Sequence, residues 1–192
     1  MPRLPVNPPY HTTPHGAFGA VRKTAADGAC GWRGIYPCTH NGVDLAAKKG
    51  TPVYAPERMR VLLAATDNVT PGLRGFGPGA VRAVGVSGAV HVLGHLDPKW
   101  WSEMVLQLPG SIFEGFIGKR GVPAEGKWFN EGEQVGIIAK DHTHWEVTVA
   151  KQKVDPVKWA SGTLSVATAP SGGGQSWVLL LLLLGMASSK RR

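Results

Sequence analysis

At 192 residues the chain is long enough for one domain with a sizeable core plus appendages, and nothing in it repeats. Its formal net charge of +8 favours an anionic partner, for which nucleic acid, a membrane surface and an anionic bacterial wall polymer are the candidates. A nucleic-acid interface gathers lysine and arginine on one element with interleaved aromatics. Here they are scattered apart from Lys190-Arg191-Arg192, which argues against a specific nucleic-acid role.

Residues 1–28 are rich in proline, glycine and small residues and read as an extended N-terminal arm wrapped on the domain, with His11 and His15 at its polar surface. The opening decapeptide contains Pro2, Pro5, Pro8 and Pro9 and has no apolar stretch of the length a secretory signal needs. Cys30 and Cys38 flank a loop just ahead of His40. Two readings stand open for them: a disulfide that stiffens the approach to His40, as an oxidising compartment permits, or two unpaired thiols. A lone C-x7-C pair lacks the spacing of a structural zinc site.

From Gly42 onward short β-favouring runs follow one another: Val43 to Ala46, Pro52 to Ala55, Met59 to Ala64, Ala80 to Val86, Ala89 to Leu93, Gln134 to Ala139 and His144 to Val149. Glycine-rich breaks such as Thr70-Pro71-Gly72 and Gly75-Phe76-Gly77-Pro78-Gly79 separate them. This spacing predicts a mostly β domain built from a largely antiparallel sheet with little helix. An insertion of about 35 residues, 97–132, carries Trp100, Trp101, Phe113, Phe116 and Trp128 and is too apolar for a disordered linker. It is expected to pack back on the domain, as a helical hairpin over a sheet edge or as a wall of a binding groove. Residues 161–176, with Ser171-Gly172-Gly173-Gly174, read as a flexible linker. The C-terminal hydrophobic tail, 177–192, joins Trp177, six leucines and a basic end. It is shorter than the ~20 apolar residues of a spanning helix, yet its tryptophan and basic cluster suit membrane association.

Two segments about a hundred residues apart carry the chemistry: Thr39-His40-Asn41-Gly42-Val43-Asp44 and Asp141-His142-Thr143-His144-Trp145-Glu146. Imidazole nitrogen and carboxylate oxygen are zinc ligands, and a catalytic zinc takes three protein ligands while a fourth position stays open for water. Two histidines and one aspartate would fill such a site. On a strand, side chains two apart share a face, so His142 and His144 can both look into one cleft.

The order of these segments with Gly50-Thr51-Pro52-Val53-Tyr54-Ala55 and Gly94-His95-Leu96 between them resembles the lysostaphin-type zinc endopeptidases of bacterial peptidoglycan, the LytM-like peptidase domain. The match runs from about His40 to Trp159 and places the peptidase domain at 29–160. The resemblance implies a twisted sheet with the zinc groove on its face. Carried over, it makes His40, Asp44 and His144 the metal ligands of a Zn2+ cofactor, with His95 and His142 catalytic. Two departures bear on the groove: Leu93 stands where the family often has tyrosine, and the glycine-rich turn before H-x-H is shortened to Ile138-Ala139-Lys140-Asp141. His91, four residues before His95, is expected on the same face of its strand and in a structural role.

The implied activity is hydrolysis of peptide cross-links in peptidoglycan, at the cell envelope or outside the cell, on a membrane anchor or on a phage virion. The rival readings are a non-catalytic wall-binding or regulatory module and a virion structural component carrying a wall-degrading domain. A complete ligand set discriminates against the first.

Overall fold

The computed structural model describes residues 2–30, 34–106 and 121–164. Residues 107–120 of the insertion, the linker from 165 and the hydrophobic tail 177–192 lie outside the described residues. No helix among the described residues is long and apolar enough to cross a membrane.

The elements in chain order are β1 (Val21–Arg22), a 3-10 turn (Ala25–Asp27), β2 (Cys38–Thr39), β3 (Val43–Ala46), β4 (Pro52–Tyr54), β5 (Met59–Ala65), β6 (Gly79–Gly85), β7 (Val90–Leu96), α1 (Pro98–Leu106), β8 (Trp128–Phe129), β9 (Gln134–Ile137), β10 (His142–Val149), β11 (Gln152–Val154) and α2 (Pro156–Ala160). The fold is mostly β. An antiparallel sheet runs in the order β11-β10-β7-β6-β5-β8, and β3 also pairs with β10. β4 and β9 form a separate antiparallel ribbon, and β1 pairs with β2.

Alternation of side chains along β3 and β10 divides the sheet into a core face and a site face. Val43 and Leu45 of β3, with Trp145 and Val147 of β10, are buried in the main core, together with Met59, Val61, Leu93 and Phe129. Burial of such aliphatic and aromatic side chains stabilises by roughly 1.5–3 kcal/mol each relative to exposure. The intervening residues Asp44, His142, His144 and Glu146 fall on the other face.

The described parts of the insertion pack on this frame. Trp101 of α1 is fully buried and its indole N–H donates to the Val135 carbonyl at 2.8 Å. Trp100 packs at the core margin, and β8 extends the sheet beyond β5. Trp128 is 43 % exposed, with Arg58 over its ring, so one of the insertion's tryptophans faces outward. Cys30 and Cys38 form a disulfide, which decides between the two readings left open by the sequence.

The arm makes a run of backbone hydrogen bonds to the domain: Arg3 N–H to Pro56, Tyr54 N–H to Pro5, His11 and Ala46 to each other, and Asp44 N–H to Gly16. Val6 is buried in the main core.

His91 does not share a face with His95. It lies on the core face, 0 % exposed, where one ring nitrogen bonds the Glu57 carboxylate at 2.8 Å and the other accepts the Trp145 indole N–H at 3.4 Å. Glu57 also accepts from the Ser87 hydroxyl and amide. Burial alone would raise this carboxyl, but the bonds from His91 and Ser87 outweigh it and hold the pKa below the ordinary 4.5. A carboxyl whose folded pKa is depressed contributes stability that is present above its unfolded value and lost as pH falls through the folded one. Glu57→Gln should therefore lower stability at neutral pH by about 1–3 kcal/mol and flatten the loss of stability below 4.5. Thermal melts of both proteins across acidic pH check this; parallel pH profiles would refute it.

Candidate metal centre

The register of β3 against β10 sets Asp44 directly opposite His144. His40 enters from just beyond β2, its backbone pinned by Ala20 and Gly19. Three atoms then converge. His40 Nε2 lies 3.1 Å from His144 Nδ1 and 3.3 Å from Asp44 Oδ1, and His144 Nδ1 lies 2.7 Å from Asp44 Oδ1. A tetrahedral ion with bonds of about 2.0–2.2 Å needs donor atoms about 3.3–3.6 Å apart, so the trio fits a metal with shifts below about 1 Å. His40 is 4 % and His144 7 % exposed, which fixes the rotamers that hold the donors together.

Hydrogen bonds to the far sides of these side chains select the tautomers. A carbonyl oxygen can only accept, so the 3.1 Å contact of His40 Nδ1 with Ala17 makes Nδ1 the N–H and leaves Nε2 with its lone pair toward the cluster. On His144 the outward nitrogen, Nε2, faces Glu146 Oε1 at 3.3 Å, so Nδ1 is the inward lone pair. Glu146 sits two residues beyond His144 on the same face and is itself ion-paired with Lys153. Burial acts to raise the Asp44 carboxyl, but its close contacts with the His144 and His40 rings prevail and keep it well below the usual carboxylate range. It is therefore an anion near neutral pH.

His95 reaches the same place by breaking the strand pattern. Strict alternation from His91 and Leu93 would point it into the core. Between the pairs Val81–Leu93 and Gly79–Leu96, however, β7 holds one residue more than β6, and His95 has φ 59°. This bulge re-aims the side chain to the site face. Its ring lies 4.7 Å from that of His142, and both line a cavity of about 490 Å³ with His40, Asp44 and His144. His95 Nδ1 donates to the Gly77 carbonyl at 2.6 Å, leaving Nε2 as an acceptor. Burial, with a smaller push from His142, lowers its pKa to about 4, so the imidazole is neutral near pH 7. His142 Nδ1 bonds the exposed Asp141 carboxylate at 2.7 Å.

All five residues singled out in the sequence therefore meet in one cavity. Two others do not stand out in the sequence: Glu146, behind His144, and Arg22, whose guanidinium bonds the second oxygen of Asp44 at 2.6 Å. Spacing offers no signal for Arg22. Glu146 could have been found from its position in His144-x-Glu146, since a ligating imidazole usually donates its other N–H to a carboxylate. Among the described residues, none from the insertion lines this cavity or the adjoining one of about 1040 Å³ that shares Arg22, Gly28, Asp44 and His142 with it.

No family model matches the chain, and no curated protein matches it. Solved structures do. A zinc-containing peptidase from Vibrio cholerae superposes with a TM-score of 0.53 at 20 % identity, covering 81 % of this chain and 38 % of that one. Helicobacter pylori Csd3 gives 0.51 at 18 % identity, covering 97 % and 41 %. The catalytic domain of the prophage-encoded M23 protein EnpA from Enterococcus faecalis gives 0.49 at 18 %, covering 81 % and 95 %. The chain spans about two fifths of the length of the first two. This likeness shows the fold alone: the sheet is arranged as in the first two of these structures, in line with the fold that the resemblance of the motifs implies.

Gly42 tests how tightly the centre is built. A Cβ at this position would sit 2.6 Å from both His144 Nε2 and the Trp145 carbonyl oxygen, closer than any side chain tolerates. Gly42→Ala is expected to displace His144 and weaken metal binding at least ~10-fold, as loss of a ligand's support does, while the far-ultraviolet circular dichroism stays β-like. Metal titration monitored by elemental analysis reads this out; undiminished affinity would mean the turn has slack.

Proposed function

We propose that the protein is a zinc-dependent endopeptidase that hydrolyses peptide cross-links of bacterial peptidoglycan, working at the cell envelope or outside the cell. The observation that carries this reading is the meeting of His40 Nε2, Asp44 Oδ1 and His144 Nδ1 beside two further imidazoles that are not part of the trio. His40, Asp44 and His144 would hold the ion. Bound zinc would supply a water acidified toward a pKa of about 7 and a Lewis acid for the scissile carbonyl.

The other roles belong to the chain's own side chains. His95 and His142 each have Nδ1 committed, to Gly77 and to Asp141, and so each has Nε2 for substrate chemistry. One of the two imidazoles takes the proton of the attacking water at Nε2 and, as the imidazolium so formed, gives it to the departing amine, proton transfers that typically contribute ~10² to 10⁴ in rate. The peptidoglycan substrate is supported by the motif resemblance and by the net charge of +8, which suits an anionic wall. The non-catalytic binding reading is disfavoured because it needs no such complete set of ligands and proton-transfer groups.

Alanine variants separate metal holding from proton transfer. Those at His40, Asp44 and His144 should lose zinc and activity together, because each removes one of three protein ligands. Those at His95 and His142 should keep about one zinc per chain and hydrolyse ~10² to 10⁴ more slowly. Metal content beside the release of soluble fragments from purified sacculi checks both halves. Normal hydrolysis by His95→Ala would sink the proton-transfer role, and full zinc in His144→Ala the ligand set.

A further inference from the structure

Arg22 belongs to the arm, yet its guanidinium reaches the metal centre. The residue is 7 % exposed, and each of its three donor nitrogens is engaged. Nη2 donates to Asp44 Oδ2 at 2.6 Å, Nη1 to the Ala29 carbonyl at 2.7 Å and Nε to the His15 carbonyl at 3.1 Å. The space it fills is shaped for it. Gly28, at φ 118°, lies so close that a Cβ there would sit 3.0 Å from both Cζ and Nε of Arg22.

The two oxygens of Asp44 thus have different tasks. Oδ1 faces His40 Nε2 and His144 Nδ1, and Oδ2 is engaged by a buried cation through a short charged hydrogen bond. A carboxylate can ligate through one oxygen or through both. With Oδ2 engaged, Asp44 gives one; one oxygen and two imidazoles leave a fourth position for water, whereas a second oxygen would compete for it. We propose that Arg22 is a positioning residue that holds Asp44 to one-oxygen ligation and thereby keeps the fourth position of the metal centre open for water. This rests on the zinc-site reading above. A lysine would keep the charge but lacks the planar fork that reaches Oδ2 and the two carbonyls at once, so Arg22→Lys should rescue only part of the effect.

Cobalt(II) in place of zinc makes the coordination visible, since four-coordinate cobalt absorbs far more strongly in the visible than five- or six-coordinate cobalt. Wild type, Arg22→Ala, Arg22→Lys and Gly28→Ala would be loaded with cobalt, and their spectra, cobalt affinity, kcat and KM measured. Arg22→Ala should bind cobalt roughly 10- to 100-fold more weakly, show weaker visible bands, and lose kcat more than KM changes. Millimolar guanidinium should restore part of the band intensity, which a purely structural defect would not allow. If Arg22→Ala does not fold, Arg22→Lys and Gly28→Ala, which crowds the guanidinium in place, carry the same comparison. Wild-type spectrum and affinity in the folded variants would overturn this inference alone. A wild-type protein that takes up no cobalt would overturn the metal-centre reading and this inference with it.

Discussion

The metal centre depends first on the register of β3 against β10, which places Asp44 opposite His144 across a hundred residues of sequence. A slip of one residue would turn every side chain of β3 to the other face. The slip is opposed by the core side of the same strands, where Val43 and Leu45 are buried with Trp145 and Val147. Hydrophobic burial on one face therefore sets ligand geometry on the other. The turn before β3 is bound into the same arrangement, because Gly42 passes against both the His144 ring and the Trp145 backbone.

The strand β7 serves both faces in a different way. Up to Leu93 it is an ordinary core strand, and its His91 is tied to Glu57 and Trp145 inside the protein. At Gly94-His95 the bulge changes its phase, so His95 joins the cavity while Leu96 returns to the core. Residues four apart on one strand end up with unrelated environments: one imidazole bound to a buried carboxylate, the other neutral beside His142.

Much of this was legible in the sequence, and the gaps have physical causes. The run Val43 to Ala46 coincides with β3, and those at Pro52, Met59, Ala80 and Gln134 fall within a residue or two of β4, β5, β6 and β9. β7 extends three residues past its run, because Gly94 reads as a breaker whereas here it allows the backbone to pass Phe76. Two-residue strands such as β1, β2 and β8 have too few side chains to show alternation. The four site histidines and Asp44 were found because the order and spacing of their motifs resemble a known family, and His142 and His144 share one strand face. Arg22 was not, since its meeting with Asp44 is a long-range contact with no local periodicity, and His91 was misplaced because alternation does not foresee a bulge. The disulfide could not be chosen from spacing alone, as a C-x7-C pair suits either state.

The arm's hydrogen bonds along β3 have a bearing on how a substrate can dock. His11 exchanges both backbone bonds with Ala46, and Asp44 N–H is taken by Gly16. The outward edge of the ligand-bearing strand is thus already occupied by the protein's own chain. Many peptide-binding proteins gain affinity by letting an extended ligand add itself as a further strand to an exposed edge. Beside β3 that route is closed. A peptide approaching the metal from this side must be held by side chains and by the shape of the cavities around Asp44 and His142, so its recognition there depends on what the peptide carries along its length more than on the extended backbone common to all peptides.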